Sequence, residues 1–372
     1  MSLTERQLIA LLRLALTGEQ GAVLSEHIDW EAIREMAEQQ SVLGITFAGI
    51  ERLPRQMMPA MPILMDWVGQ AEKIKTQNLH LNKKCKQATS IFRKEGFRTS
   101  IMKGQGNALL YHTQDANLSM LRSSGDIDLW VEGGMEKVNA FVQEISPTNE
   151  INELEIQFHG VKGATVEVHF RPFYLRNPWH NARLQKFFEE EADSCYENKV
   201  DLEIEGGKTI STYVTTTRFN VIHQLAHIYI HLLTEGIGMR QLIDYFFVLK
   251  DFAKEPEETR IAIRNVIERI GLTRFAAALS WIMSGALGLP EEMLLIEPHA
   301  KDGRFLLDEV INSGNFGRAN GKQKEKKGKK GYTLWMILFR NLRYWRFDHT
   351  EWLWGPLWRI YHRAWRLVKG YR

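Results

Sequence analysis

A short acidic segment near the middle of the chain constrains the fold more than any other feature of the sequence. It reads Arg-Ser-Ser-Gly-Asp-Ile-Asp-Leu-Trp-Val over residues 122–131. Asp126 and Asp128 are separated by one apolar residue and followed by three more, which predicts a short buried strand entered through a glycine turn. Side chains alternate along a strand, so both carboxylates would project from one face, about 6.5 Å apart. Because two like charges on an apolar element repel each other, the pattern favours a divalent cation between them.

A second segment supplies a third carboxylate. Residues 164–170, Ala-Thr-Val-Glu-Val-His-Phe, alternate in polarity and predict another strand with Glu167 and His169 on one face. If this strand lies beside the first, at about 4.8 Å, then Asp126, Asp128 and Glu167 form a three-carboxylate site. Hard oxygen ligands of this kind suit Mg²⁺ or Mn²⁺.

The segment before the acidic strand has features of a phosphate site. Residues 97–102 predict a first strand that runs into Lys103-Gly104-Gln-Gly106. A junction of strand, glycine turn and helix can present backbone N–H groups and a lysine to phosphate; alternatively, the glycines only turn the chain. Arg122 either binds phosphate or pairs with the acidic cluster, and the sequence leaves both roles open.

Taken together, these segments resemble the uncharacterised nucleotidyltransferase family of bacteria, which belongs to the polymerase-β-like nucleotidyltransferase superfamily. The resemblance rests on Lys103-Gly104, on Arg-x-x-Gly-Asp-x-Asp at 122–128 and on Glu-x-His at 167–169, and it runs from about residue 1 to about residue 250. One departure concerns the usual Gly-Ser of the superfamily, which lies about a dozen residues before the Asp pair, whereas Gly104 lies 22 residues before Asp126.

The resemblance implies an α+β fold, in which a small mixed nucleotidyltransferase-type sheet with helices is embedded in larger N- and C-terminal helical layers. It implies metal-dependent transfer of NMP from an NTP, with ATP the favoured donor, to a hydroxyl acceptor of unknown identity, with release of pyrophosphate. The alternative is a catalytically inactive binding protein of this fold, attached to a partner or to a membrane surface.

The same resemblance assigns roles to particular residues. We hypothesise that Asp126 and Asp128 hold two Mg²⁺ (or Mn²⁺) ions about 3.5–4 Å apart and that Glu167 ligates the acceptor-side ion and helps to take the hydroxyl proton. The candidates for nucleotide binding are Lys103, Gly104, Arg122, Ser124 and Gly125. The candidates for the cleft, or for the layer behind the metal ligands, are His169, His227, His231, Arg240 and Asp244.

A row of histidines follows the predicted core. Thr217 is the expected cap of a helix that carries His223, His227 and His231 at intervals of four, on one helix face. These imidazoles could form a zinc site, could be ordinary hydrogen-bonded histidines, or could line the nucleotide cleft, and the resemblance favours the cleft for the last two. On the next helix, Arg240 and Asp244 either form a local ion pair or face the cleft.

Length and composition bound the class of protein. A chain of 372 residues favours two domains, or one domain with extensions. Two cysteines far apart give no disulfide framework and suit a reducing compartment. Neither a signal peptide nor a transmembrane run is visible. We therefore expect a cytoplasmic protein, with peripheral attachment at the inner membrane surface as a variant, and no specific DNA binding.

The pattern of residues predicts five regions: a helical N-terminal region (1–95), a nucleotidyltransferase-like α/β core (96–215), a helical C-terminal domain (216–318), a Lys/Gly-rich linker (319–331) and a Trp/Arg-rich helical tail (332–372). The tail interleaves tryptophan with arginine and has three open interpretations. It could lie in an anionic membrane interface, bind RNA, or fold back onto the protein.

Overall fold

The computed structural model describes residues 1–313 and 342–369. The predicted linker 319–331 and the first part of the tail, including Trp335 and Arg340, lie outside the described residues. The strands are β1 (Thr99–Met102), β2 (Ile127–Val131), β3 (Glu155–Phe158), β4 (Val166–His169), β5 (Lys199–Ile204) and β6 (Lys208–Tyr213). The helices are α1 (Leu3–Thr17), α2 (Trp30–Gln39), α3 (Leu43–Glu51), α4 (Met61–Lys94), α5 (Gly104–Ala108), α6 (Gly134–Ile145), α7 (Pro178–Glu197), α8 (Thr217–Thr234), α9 (Met239–Phe252), α10 (Glu257–Arg269), α11 (Thr273–Trp281), α12 (Ala300–Ser313) and α13 (His349–Lys369).

The first four strands form one mixed sheet in the order β1-β2-β4-β3, and β5 and β6 form a separate hairpin. β2 and β4 are parallel neighbours, whereas β1 and β3 pair antiparallel at the two edges. The register sets Asp128 beside Glu167 and Trp130 beside His169. The predicted α+β class, with a small mixed sheet between helical layers, is thus confirmed.

The two faces of the sheet differ in chemistry because the strands alternate. Ile127, Leu129 and Val131 of β2 are at most 2% exposed and pack in a core with α4 and α6. The opposite face of the same strand carries Asp128, which is therefore held against whatever lies on that side. A register shift of one residue would turn this carboxylate into the apolar core, so burial of the first face fixes the direction of the second.

The helices on either side of the sheet share a larger core, to which α1, α3, α8, α9 and α11 all contribute buried apolar residues. The cap of α8 differs from the prediction by one residue. Thr216 accepts a hydrogen bond from the backbone N–H of Phe219, at 3.2 Å, whereas the hydroxyl of Thr217 donates to Asp251. Adjacent threonines both suit a cap, and the neighbouring acid decides between them.

The described part of the tail packs against the rest of the protein. Tyr344 and Phe347 are buried, and Glu351, at the start of α13, accepts hydrogen bonds from the backbone N–H groups of Arg176 and Asn177 at 2.7 and 2.9 Å. The contacts show folding back between Tyr344 and His362, while binding of RNA or of a membrane stays a prediction. One face of α13 remains exposed and includes Leu353, Leu357, Ile360, Tyr361 and Leu367. Across residues 1–313 and 342–369, no helix has both the length and the apolar character needed to span a bilayer.

Candidate active site

A cavity of about 620 Å³ opens over the polar face of the sheet. Its walls come from the sheet, from α5, α8 and α9, and from α13 of the tail. Most of the site residues predicted from the sequence line it: Lys103, Gly104, Arg122, Gly125, Asp126, Asp128, Glu167, His169, His227, His231, Arg240 and Asp244. Ser124 is not among the lining residues, and its hydroxyl accepts a hydrogen bond from Arg122 Nη1 at 3.0 Å.

The acidic cluster on the cavity floor comes from β2 and β4. Asp128, Glu167 and His169 each offer one ligand atom, and these atoms lie within 4.8 Å of one another. Asp128 is only 6% exposed. Asp126 lies on the same wall but is exposed and does not belong to this compact group. The three-residue cluster therefore contains an imidazole where the sequence predicted a third carboxylate.

His169 lies between two carboxylates. Its Nε2 is 3.1 Å from Asp128 Oδ1 and 3.2 Å from Glu155 Oε2. Burial alone would lower the pKa of His169, but the hydrogen bond to Asp128 and the charge of Glu155 outweigh burial, and the pKa is raised. For Asp128, burial would raise the pKa, yet Lys103 and His169 lower it well below its usual range. Asp128 is therefore ionised at neutral pH.

The pKa of Glu167 is shifted in the opposite direction to that of Asp128. Burial and the neighbouring charges of Glu155, Asp128 and Asp126 raise the pKa of Glu167 to about 7. Its Oε1 accepts a hydrogen bond from Gln157 Nε2 at 2.9 Å, which orients the carboxylate. Two adjacent carboxylates with pKa values moved apart are typical of sites in which one stays charged and the other exchanges a proton.

Lys103 provides the cation closest to this cluster. Its Nζ lies 2.8 Å from Asp128 Oδ1 and 3.1 Å from His227 Nε2. Burial and the charge of Lys103 lower the pKa of His227 well below its usual value, so a neutral imidazole accepts the hydrogen bond from the ammonium group. Lys103 itself has φ +48°, a backbone conformation that costs about 1–3 kcal/mol for a residue with a side chain. The fold tolerates this strain where the side chain points into the cluster.

Arg122 is bound to a different acid from those predicted. Its Nε and Nη2 each donate to one oxygen of Asp244 at 2.7 Å, and Tyr111 Oη donates to the same carboxylate at 2.5 Å. Arg122 and Asp244 are 4% and 5% exposed, so this is a buried ion pair. Arg240 Nη1 donates to the carbonyl of Ser123 at 3.2 Å. Burial and repulsion from Arg122 lower the pKa of Arg240, so an anion in the cavity would stabilise its charge.

The unusual spacing of Gly104 has a structural explanation. Although 22 residues separate Gly104 from Asp126, a Cβ on Gly104 would lie 3.6 Å from the carbonyl oxygen of Asp126. The intervening chain forms α5 and a loop that returns to the same edge of the sheet. Gly104 has φ +39°, which a glycine adopts without strain.

The histidine row runs from the core to the cavity. The ring centroids of His223 and His227 are 5.9 Å apart, and those of His227 and His231 are 4.1 Å apart. His223 is fully buried, and burial lowers its pKa to about 3. His227 and His231 line the cavity, whereas His223 does not.

Several cavity residues were missed by sequence analysis. Glu155 had no motif to mark it, and its role follows only from pairing with β4. Asn107 and Gln224 line the cavity although each is at most 3% exposed, and amide atoms of both lack hydrogen-bond partners in the described parts of the chain. Trp358 and His362 of α13 close one side. The alternation of tryptophan and arginine marked the tail as unusual but did not predict where it lies.

The model of a family described as uncharacterised nucleotidyltransferase matches residues 26–287, well over half of the chain. This segment contains β1–β6, the acidic cluster and the helices that carry His227 and Arg240, but not α13. Comparison with curated proteins and with solved structures gave no match.

Proposed function

Because the chain belongs to the uncharacterised nucleotidyltransferase family, we propose that it moves NMP from an NTP to a hydroxyl acceptor with the help of Mg²⁺ or Mn²⁺. The observation that carries the proposal is the register of β2 and β4, which sets Asp128 beside Glu167 on the cavity wall. The carboxylates that would hold the cation and take the hydroxyl proton must lie close together, and neighbouring parallel strands bring them together.

The residues present fit a divalent cation. The carboxylates of Asp128 and Glu167 are within ligand distance of a common point, and Asp126 lies on the same wall. Oxygen ligands in this arrangement suit Mg²⁺ or Mn²⁺. His169 Nε2 is engaged by Asp128 and Glu155, so His169 would orient the carboxylate of Asp128. When bound, the cation supplies charge that polarises the phosphoryl oxygens and makes the acceptor hydroxyl more acidic.

The protein residues would handle the remaining proton and charge. In the proposed reaction, the acceptor oxygen forms a bond to the α-phosphorus, and the bond from that phosphorus to the bridging oxygen breaks. Glu167 would help to take the hydroxyl proton. Lys103 shifts from Asp128 toward the departing pyrophosphate and offsets its charge.

The wall formed by α9 and the glycine turns would hold the triphosphate. Gly104 and Gly125 leave space for phosphate oxygens beside the backbone, and the half-buried guanidinium of Arg240 favours an anion. Arg122, tied to Asp244, would act by holding the turn at Ser123 and Ser124 in place. ATP is the favoured donor, and the acceptor lies on the opposite side, toward α13.

The direct test is release of pyrophosphate from each of the four NTPs, with Mg²⁺ or with EDTA, in the presence of a panel of sugars, amino sugars, hydroxylated amino acids and RNA ends. We expect release that depends on Mg²⁺, on one NTP and on at least one acceptor, with a label at the α-phosphate appearing in that acceptor. Metal-dependent nucleotide binding without release for any acceptor would instead support the inactive binding protein. Absence of nucleotide binding would contradict both functions.

The raised pKa of Glu167 makes metal binding sensitive to pH. Below about pH 7 the carboxyl group is protonated, and the proton must leave before the oxygen can ligate. We expect the dissociation constant for Mn²⁺ to rise about tenfold per pH unit below 7 and to level off above it. Electron paramagnetic resonance of free Mn²⁺ measures this directly. Glu167→Gln should bind Mn²⁺ more weakly and with less dependence on pH; equal affinities for the unaltered protein at about pH 6 and pH 8 would refute the prediction.

A further inference from the structure

A second cluster of metal-ligating side chains lies outside the cavity, where the start of α13 meets the start of α7. His180, Asp348 and Glu351 each place one ligand atom within 4.8 Å of the other two. His180 is in the first turn of α7, whereas Asp348 and Glu351 flank the first residues of α13. The cluster shares no residue with the acidic cluster of the cavity.

Two atoms of this cluster lack the hydrogen bonds that buried polar atoms normally make. Among the residues that the structure describes, His180 Nδ1 and Asp348 Oδ2 have no hydrogen-bond partner, although the side chain of Asp348 is only 6% exposed. The two atoms are 3.7 Å apart, too far for a hydrogen bond. Ligands at tetrahedral positions around one zinc ion are separated by roughly 3.4 Å. The gap is therefore close to what a shared ion requires.

The other atoms of the cluster are held in place. Asp348 Oδ1 accepts a hydrogen bond from the backbone of Thr350 at 2.8 Å, and both oxygens of Glu351 accept from the backbone at the start of α7. The ring of His180 is packed against Gly271, where a Cβ would lie only 2.3 Å from His180 Cε1. Ligands with fixed orientation lose little freedom when they bind an ion.

We propose that His180, Asp348 and Glu351 form a zinc site, with His180 Nδ1, Asp348 Oδ2 and one oxygen of Glu351 as ligands and water in the fourth position. His180 Nδ1 is not held by a hydrogen bond, unlike His169 Nε2 in the cavity, which is engaged by Asp128 and Glu155. An imidazole and two carboxylates are therefore available as ligands here, a set that matches Zn²⁺ better than Mg²⁺. An ion here would supply the partner that the two buried atoms lack.

The position of this site gives it a consequence for the cavity. α13 carries Trp358 and His362 into the cavity wall, and Trp358 stacks on Tyr174 with ring centroids 5.0 Å apart. His180 follows Tyr174 by six residues. An ion shared by α7 and α13 would therefore hold Trp358 against Tyr174 in the wall that closes the cavity.

Zinc content tests the proposal directly. Protein without a polyhistidine tag, carrying Asp128→Asn to weaken the cavity cluster, is dialysed against Zn²⁺ in excess Mg²⁺ and then analysed by mass spectrometry of the metal. We expect one retained zinc per chain. His180→Gln and Asp348→Asn should each lose it, whereas His299→Gln, which removes an imidazole 3.1 Å from the carboxylate of Asp302, should keep it. Retention unchanged in the first two variants, or no zinc in the parent protein, would overturn the assignment.

A second measurement does not depend on folding of the variants. Hydrogen exchange of the backbone amides in residues 349–362 is followed with Zn²⁺ and with EDTA, in the same parent protein. If release of α13 breaks the site, exchange should slow about 100-fold when free Zn²⁺ is about 100 times its dissociation constant. The amides of α1, far from the cluster in sequence, serve as the internal reference. Equal exchange in α13 with and without Zn²⁺ would exclude the site.

Discussion

Asp128→Asn should lower the rate of NMP transfer about 10³-fold at saturating Mg²⁺, which corresponds to about 4 kcal/mol of transition-state stabilisation. Asparagine keeps the size of the side chain but loses the charge that would attract the proposed cation and that orients Lys103 and His169. Asp128 is the carboxylate on which these contacts converge, with Lys103 Nζ at 2.8 Å and His169 Nε2 at 3.1 Å. The loss should appear in kcat, since the same charge acts on the transition state.

Glu132→Gln is the matched control for this variant. Glu132 directly follows β2 but pairs with Arg98 at the other end of the strand, outside the cavity lining. We expect its activity to stay within about twofold of the unaltered protein, because changes at exposed ion pairs have small effects. Circular dichroism of both variants checks the fold. If Asp128→Asn transferred NMP as fast as the control, the carboxylate would not be part of the reaction.

The largest effect on stability should come from Asp244→Ala. This change leaves the guanidinium of Arg122 buried without its acid and removes the acceptor of Tyr111 Oη. Removing one member of a buried ion pair typically costs about 3–5 kcal/mol. The shift in the midpoint of urea unfolding measures the loss.

Two further variants distinguish the stability lost with the buried ion pair from the stability lost through mutation in general. Glu72→Ala breaks an exposed ion pair with Lys75, whose side chains are 61% and 47% exposed, and should cost at most about 1 kcal/mol. The double variant Arg122→Met/Asp244→Leu should recover much of the stability lost in Asp244→Ala, because it leaves no unpaired buried charge. A loss for Asp244→Ala no larger than for Glu72→Ala would show that the buried pair does not stabilise the fold.

The sheet and its carboxylates could be predicted because local pattern and burial agree. Alternation in β2 and β4 puts apolar residues on one face, and that burial fixes where Asp128 and Glu167 point. The sequence predicted a shared site on the condition that β2 and β4 are neighbours, and the structure pairs these two strands in parallel. The exposed position of Asp126 could not be predicted from strand alternation, because Asp126 precedes the first residue of β2 and lies outside the strand.

The partners of the charged residues depended on contacts between distant parts of the chain. Arg122 and Asp244 are 122 residues apart, and nothing in either local pattern relates one to the other. Asp244 lies four residues from Arg240, so the sequence left open a local ion pair with Arg240 or a position facing the cleft. Local spacing indicates which residues share a helix face, but the packing of α9 against the core decides which charge meets which.

The tail shows a different limit. Tryptophan and arginine at helical intervals suit a membrane interface, a nucleic acid or a protein surface, because these side chains combine an apolar body with a polar or charged tip. The three interpretations differ in the surface against which the tail would lie. Here Tyr174 and the backbone N–H groups at the start of α7 meet Trp358 and Glu351, and neither feature is visible in the tail itself.

Because α13 closes one side of the cavity, the residues proposed for the reaction and the residues that shape this side of the cavity lie in different parts of the chain. The groups proposed to carry out the reaction lie between Lys103 and Asp244, inside the segment shared with the family, whereas Trp358 and His362 come from beyond residue 287. Substitutions in α13 can thus reshape the cavity without disturbing the acids that are proposed to take part in the reaction. Relatives that keep one chemistry could diverge in the molecules they accept by altering this terminal helix alone.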